Sequence, residues 1–161
     1  MGDRGARTDD YTRAVLRIPG LDGRARLLRP RARGHVEGVF PFEAPVHVVT
    51  AHNPGAARLG DAENAARQSR LEVELDARGL AHRTVVAGAE DGSHAEEGAL
   101  VTGLDDETAR ALGAAWGQDA VFRWSRTAWT VLACDNAPSV DLGWELTDVR
   151  AGEQGQDGGS E

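Results

Sequence analysis

The chain has 161 residues, of which 40% are apolar with the shortage concentrated at the two ends, so it fits one domain better than two. Its 18 basic residues are all Arg, which excludes a Schiff-base lysine and a P-loop lysine. The net charge of −8 is uneven: residues 1–33 hold nine Arg against four acids, the remainder nine Arg against twenty-two, and an acidic body repels nucleic-acid phosphates.

Residues 1–33 read as an Arg-rich leader, partly disordered, carrying Arg24, Arg26, Arg29, Arg31 and Arg33. It is expected to be a solvated arm or a partner for the acidic body; nucleic-acid binding through it is the alternative. Residues 34–149 read as a single α+β domain, and residues 150–161, with no apolar side chain larger than alanine, as a disordered acidic tail. No apolar stretch approaches the length of a membrane span and no signal-peptide core is visible, so the expected location is the cytoplasm, with no membrane partner.

The first confident element is a strand beginning at Val46 and broken at Asn53-Pro54, with a further strand possible before it near Val36 to Phe42. A helix follows over Ala62 to Arg78, with Asp61 as N-cap and Gly79 as the stop. Helical spacing puts Asn64, Gln68, Leu71 and Leu75 on one stripe. His82 to Gly88 and Ala99 to Thr102 read as strands, a second helix runs from Asp105 or Asp106 to Gly117, and Ala120–Trp124 with Thr127–Leu132 form a hairpin. Trp144 to Val149 adds a last strand. The order β-α-β-β-α-β-β implies an α+β fold with two helices on one face of a mixed or antiparallel sheet, a ferredoxin-like arrangement being the nearest analogue.

One polar cluster stands out. Asn53 lies at the end of the first strand, and Asn64 lies in the first turn of the next helix, on the same stripe as its core leucines. A buried amide left unpaired costs about 1–3 kcal/mol, so Asn64 needs partners; Asn53 and Gln118 are candidates, with Glu97 able to join them. Two readings stay open. These groups brace a strand-to-helix loop, or they line a crevice that holds a small polar ligand or a loop of a protein partner. Glu63, beside Asp61 at the helix start, repels a bare phosphate; a neutral or cationic ligand, or a phosphate paired with Arg67, fits better. A small hydrolase or transferase using Glu97 or His94 as acid/base in this crevice is the rival.

Other residues carry less. Cys134 sits in an apolar run and reads as a small hydrophobe. The five histidines share no metal spacing, and neither a metal nor a cofactor is expected. The four tryptophans read as core or an interface edge.

Four short pieces, in order, resemble a bacterial family catalogued as domain of unknown function 3293. They are Thr50-Ala51-His52-Asn53-Pro54, Glu63-Asn64, an acidic residue before the third strand, and Gly117-Gln118-Asp119-Ala120-Val121-Phe122. The resemblance runs from about Val46 to Leu132. His94 stands where such proteins tend to carry an aromatic residue. The resemblance implies element boundaries and no activity.

Overall fold

The computed structural model describes residues 11–54 and 58–149. In chain order these form β1 (Val15–Leu21), β2 (Arg24–Arg31), β3 (Val36–Glu37), β4 (Val46–Val49) and α1 (Asp61–Ala77). Then come β5 (His82–Gly88), β6 (Glu96–Val101), α2 (Asp106–Ala115), β7 (Ala120–Trp124), β8 (Trp129–Ala133) and β9 (Val140–Asp148).

Eight of the strands close on themselves. Their order is β2-β1-β5-β6-β4-β7-β8-β9, and β9 returns to pair with β2 from Arg26↔Asp148 to Arg31↔Gly143. Every pairing around the ring is antiparallel; the two-residue β3 adds a short parallel contact to β9. The described residues form a closed eight-stranded antiparallel β-barrel with α1 and α2 packed outside it. The expected ferredoxin-like α+β sheet is therefore incorrect. An open sheet needs two free edges, and here both edges are consumed by strands from the beginning and end of the described chain.

The leader supplies half of that correction. Residues 15–31, read as an arm, are two barrel strands, so no boundary falls at residue 34. Asp22 and Gly23, at φ 54° and 79°, form the tight turn between them, a geometry whose twist matches paired strands. The arginines do meet the acidic body. Arg24 and Arg26 bond Asp148, Arg29 bonds Glu90 and Glu145, and Arg31 bonds Glu145. Arg31 first, with Arg29, holds the Glu145 carboxyl below the usual carboxylate range. The expected disorder at residues 1–10 and 150–161 lies outside the described residues.

Two apolar layers result from strand alternation. Inward residues such as Leu16, Leu28, Val48, Phe122, Trp124 and Trp144 fill the barrel, consistent with the narrow interior of an eight-stranded ring. Outward residues of β4, β6, β7 and β8, among them Val49, Val101, Val121 and Leu132, pack beneath Leu71 and Leu75 of α1 and Ala109 and Leu112 of α2. β4 is buried at all four positions because it has core on both sides. Close approach is required at Gly113 of α2, where an added Cβ would lie 2.5 Å from Val121 and 2.9 Å from Cys134.

Both helices end in the same way. Gly79 and Gly117 take positive φ (72° and 79°), and Leu80 and Gln118 donate their backbone N–H groups back to Leu75 and Gly113 at 3.0 and 2.9 Å. α1 starts one residue earlier than expected: Gly60 caps it and Asp61 is its first helical residue.

Deletion of residues 1–33 separates the two readings of the leader. We expect the shortened chain to lose its cooperative urea transition, because β2 and β1 leave β9 and β5 with unpaired edges. A transition like that of the full chain would restore the arm.

Candidate functional site

The strand-to-helix crossing after β4 is held by a reciprocal amide pair. Asn53 takes a left-handed conformation (φ 46°), which asparagine tolerates better than most residues, and its backbone N–H donates to Asn64 Oδ1 at 3.0 Å. Asn64 Nδ2 donates back to Asn53 Oδ1 at 3.0 Å, and the Leu59 N–H donates to the same oxygen at 2.9 Å. Asn64 is 6% exposed, as its place among the core leucines required.

The third member of the cluster is a neighbour of the one expected. Asn53 Nδ2 donates to Glu96 Oε2 at 3.0 Å, whereas the Glu97 side chain is exposed and its backbone carbonyl accepts from Thr50 Oγ1 at 2.7 Å. Alternation explains the exchange. Glu96, Gly98 and Leu100 share a face of β6, and Leu100 lies in the barrel interior.

Gln118 and Arg67 hold the other flank. Gln118, 8% exposed, donates from Nε2 to the His52 carbonyl at 2.9 Å, so it braces the same loop without touching Asn64. Arg67 donates from Nε to the Ala51 carbonyl at 2.6 Å and from Nη2 to the Trp116 carbonyl at 2.7 Å, and its guanidinium lies 5.2 Å from the Trp116 ring centroid. It therefore ties α1 to the ends of β4 and α2, and a phosphate there would meet an arginine already engaged. Glu63 and His94 are exposed and are not brought into the amide cluster; His94 sits in the β5–β6 loop at φ 56°.

Beside Gln118 the surface dips into an open depression of about 290 Å³, lined by Ala114, Gly117, Gln118, Asp119, Cys134 and Asp135. Burial first, with Asp119 and Asp135 adding to it, pushes the Cys134 thiol up to about 11, so the sulfur stays protonated at neutral pH and is no nucleophile there.

A second polar group was not anticipated from the sequence. His47, Arg123, Thr130 and Asp141 face one another across four adjacent strands on the outer side of the barrel. Asp106, in the first turn of α2, accepts from His47 Nε2 at 2.9 Å and pairs with Arg123, while Thr130 Oγ1 donates to Asp141 at 2.8 Å. His47 is 2% exposed. Its burial lowers its pKa from 6.5, outweighing the opposing pull of Asp106 and Asp105; Arg123 lowers it further. A short strand signal hid this row, since its register across β4, β7, β8 and β9 is set only by the tertiary pairing.

Two outcomes are expected. Asn64→Ala removes three bonds from a buried loop brace and should destabilise the fold by about 1–3 kcal/mol in urea unfolding. Because burial lowers the His47 pKa in the folded chain, the unfolded chain takes up that proton more readily, and stability should fall as pH drops below about 6.5. Unfolding midpoints from pH 8 to 5 check this; His47→Gln should flatten the slope, and an equal slope in that variant would assign the loss to other groups.

No curated protein and no solved structure matches the chain. Residues 49–121, from the last residue of β4 through both helices to the second residue of β7, match the model of a family of proteins of unknown function, DUF3293, and so the resemblance carried by Asn53, Asn64 and Gln118 holds over that segment.

Proposed function

We propose that this chain is a binding or accessory domain, and that its contact surface is the acidic depression flanking Gln118. The observation that carries this reading is an open acidic concavity beside a braced loop. Asn53 and Asn64 hold the loop, and the concavity next to it is lined by Gln118, Asp119 and Asp135, the last also accepting the Ala137 N–H at 3.0 Å.

Size and charge narrow the occupant. A volume of about 290 Å³ lies just below the range of small-molecule sites, about 300–1,000 Å³, and suits one side chain or a compact polar ligand. Two carboxylates favour a cation, with the Gln118 amide as a further hydrogen-bonding group. A protonated thiol, and an exposed His94 and Glu97 outside the cluster, give acid–base or nucleophilic catalysis little to build on. The ion pairs made by Arg24, Arg26, Arg29 and Arg31 likewise spend the charge that a nucleic-acid reading needed.

An NMR titration with the blocked tripeptide Gly-Arg-Gly tests the assignment. Backbone shifts should centre on Gln118, Asp119 and Asp135, weaken with added salt, and disappear in Asp119→Asn together with Asp135→Asn. An equal response to Gly-Glu-Gly, or shifts centred elsewhere, would remove this surface from consideration.

A further inference from the structure

The far end of β7 holds a feature that the depression at its near end does not use. Trp124 and Trp129 sit directly opposite each other on β7 and β8, and both rings stand in the barrel interior, 0% and 1% exposed. Neither indole N–H finds an acceptor among the described residues. The neighbouring Trp144 shows the ordinary arrangement, donating from Nε1 to the Ser125 carbonyl at 2.9 Å. A buried donor without an acceptor is costly, and native interiors hold few of them, so two on one cross-strand pair call for a physical reason.

The covering of this end is unlike the rest of the barrel. Residues 38–45 cross it with neither strand nor helix structure. Phe40 from this strap inserts edge-on against Trp124 at 5.2 Å between centroids, and Phe42 meets the same ring at 5.9 Å. Arg126, in the β7–β8 turn, lies 5.8 Å from the Phe40 centroid. The adjoining Val39 is 80% exposed, and Gly38 takes a φ of 113° that a side chain rarely adopts, so the strap begins at a residue suited to a turn. Phe40 is thus an aromatic side chain supplied by a segment outside the sheet, packed against Trp124, and it carries no oxygen or nitrogen that could accept an indole N–H.

We propose that this end of the barrel is a binding site for a small planar apolar molecule bearing a hydrogen-bond acceptor, which takes the place of the Phe40 ring and accepts from the Trp124 and Trp129 indoles. An eight-stranded barrel has room for its own side chains or for one small ligand, and the strap decides which of the two occupies it. Phe40 matches the shape of such a molecule and lacks its acceptor. The site lies at the opposite end of β7 from Gln118 and is independent of the cationic contact proposed there.

Coumarin, planar with a carbonyl acceptor, and naphthalene, of similar shape with none, serve as probes against the full-length chain. Coumarin should quench tryptophan fluorescence, shift the indole N–H resonances of Trp124 and Trp129, and bind about ten-fold more tightly than naphthalene, the worth of one recovered hydrogen bond. Trp124→Phe and Trp129→Phe should each narrow that gap, and Phe40→Ala should tighten coumarin binding by removing the competing plug. Should the tryptophan variants fail to fold, the two probes and the indole resonances of the unaltered chain still decide the matter. Equal affinity for both probes, no coumarin binding by either the unaltered chain or Phe40→Ala, or binding that leaves both indole resonances in place would overturn the proposal.

Discussion

The pairing of β2 with β9 is the contact on which the rest of the architecture depends. A twisted sheet of eight strands either joins its edges or leaves two rows of backbone N–H and C=O groups unpaired. Six residue pairs, from Arg26↔Asp148 to Arg31↔Gly143, make that join, and inward alternation then turns one face of every strand into a shared core. The closure is tight. A chain segment crosses directly over β9 where Gly143 leaves room for the His35 and Ala32 carbonyls, and a Cβ there would collide with both. Charge follows geometry at the same seam, since Arg29 and Arg31 of β2 stand beside Glu145 of β9.

Closure also explains why the polar clusters lie where they do. The two helices cover only the β6-β4-β7-β8 side of the ring, and each must enter and leave through a loop at a barrel end. Those loops carry backbone groups that no strand can pair, so side-chain amides pair them: Asn64 and Gln118 both bond the loop entering α1, Gln118 reaching it from the loop that leaves α2. Arg67 joins the two through carbonyls at Ala51 and Trp116. On the barrel's outer wall, Asp106 does comparable work by fixing the start of α2 to His47 and Arg123.

Much of the central segment was legible in the sequence. β5 matches its expected limits, α1 and α2 end at the glycines that stop them, and Asn64 turns inward because it shares a helical stripe with Leu71 and Leu75. These are local properties, written in periodicity and turn chemistry. The barrel is hidden by composition, because its closing strands carry the charge of an arm. Five arginines between residues 24 and 33 mask Val15, Leu16 and Ile18 before the turn and Leu27 and Leu28 after it, although Asp22-Gly23 is a strong two-residue hairpin signal. An arginine on the outward face of a half-buried strand costs little, so the leader's composition said nothing against a sheet. Glu96 was passed over for Glu97 for a related reason: the face of β6 that turns inward is fixed by partners distant in sequence.

The same seam joins two strands that are made far apart in time. Arg31 and Gly143 are more than a hundred positions apart, so a chain emerging from the ribosome presents β1 and β2 long before β9 exists to receive them. During that wait β2 is a bare edge, the kind of template on which other nascent chains assemble. Its arginines and Pro30 are what an unguarded edge lacks: like charges repel a second copy of the strand, and proline offers it no N–H. The arginine run that obscured the barrel in the sequence thus acts as a gatekeeper until the last strand arrives, then exchanges that duty for ion pairs with the strand it was waiting for.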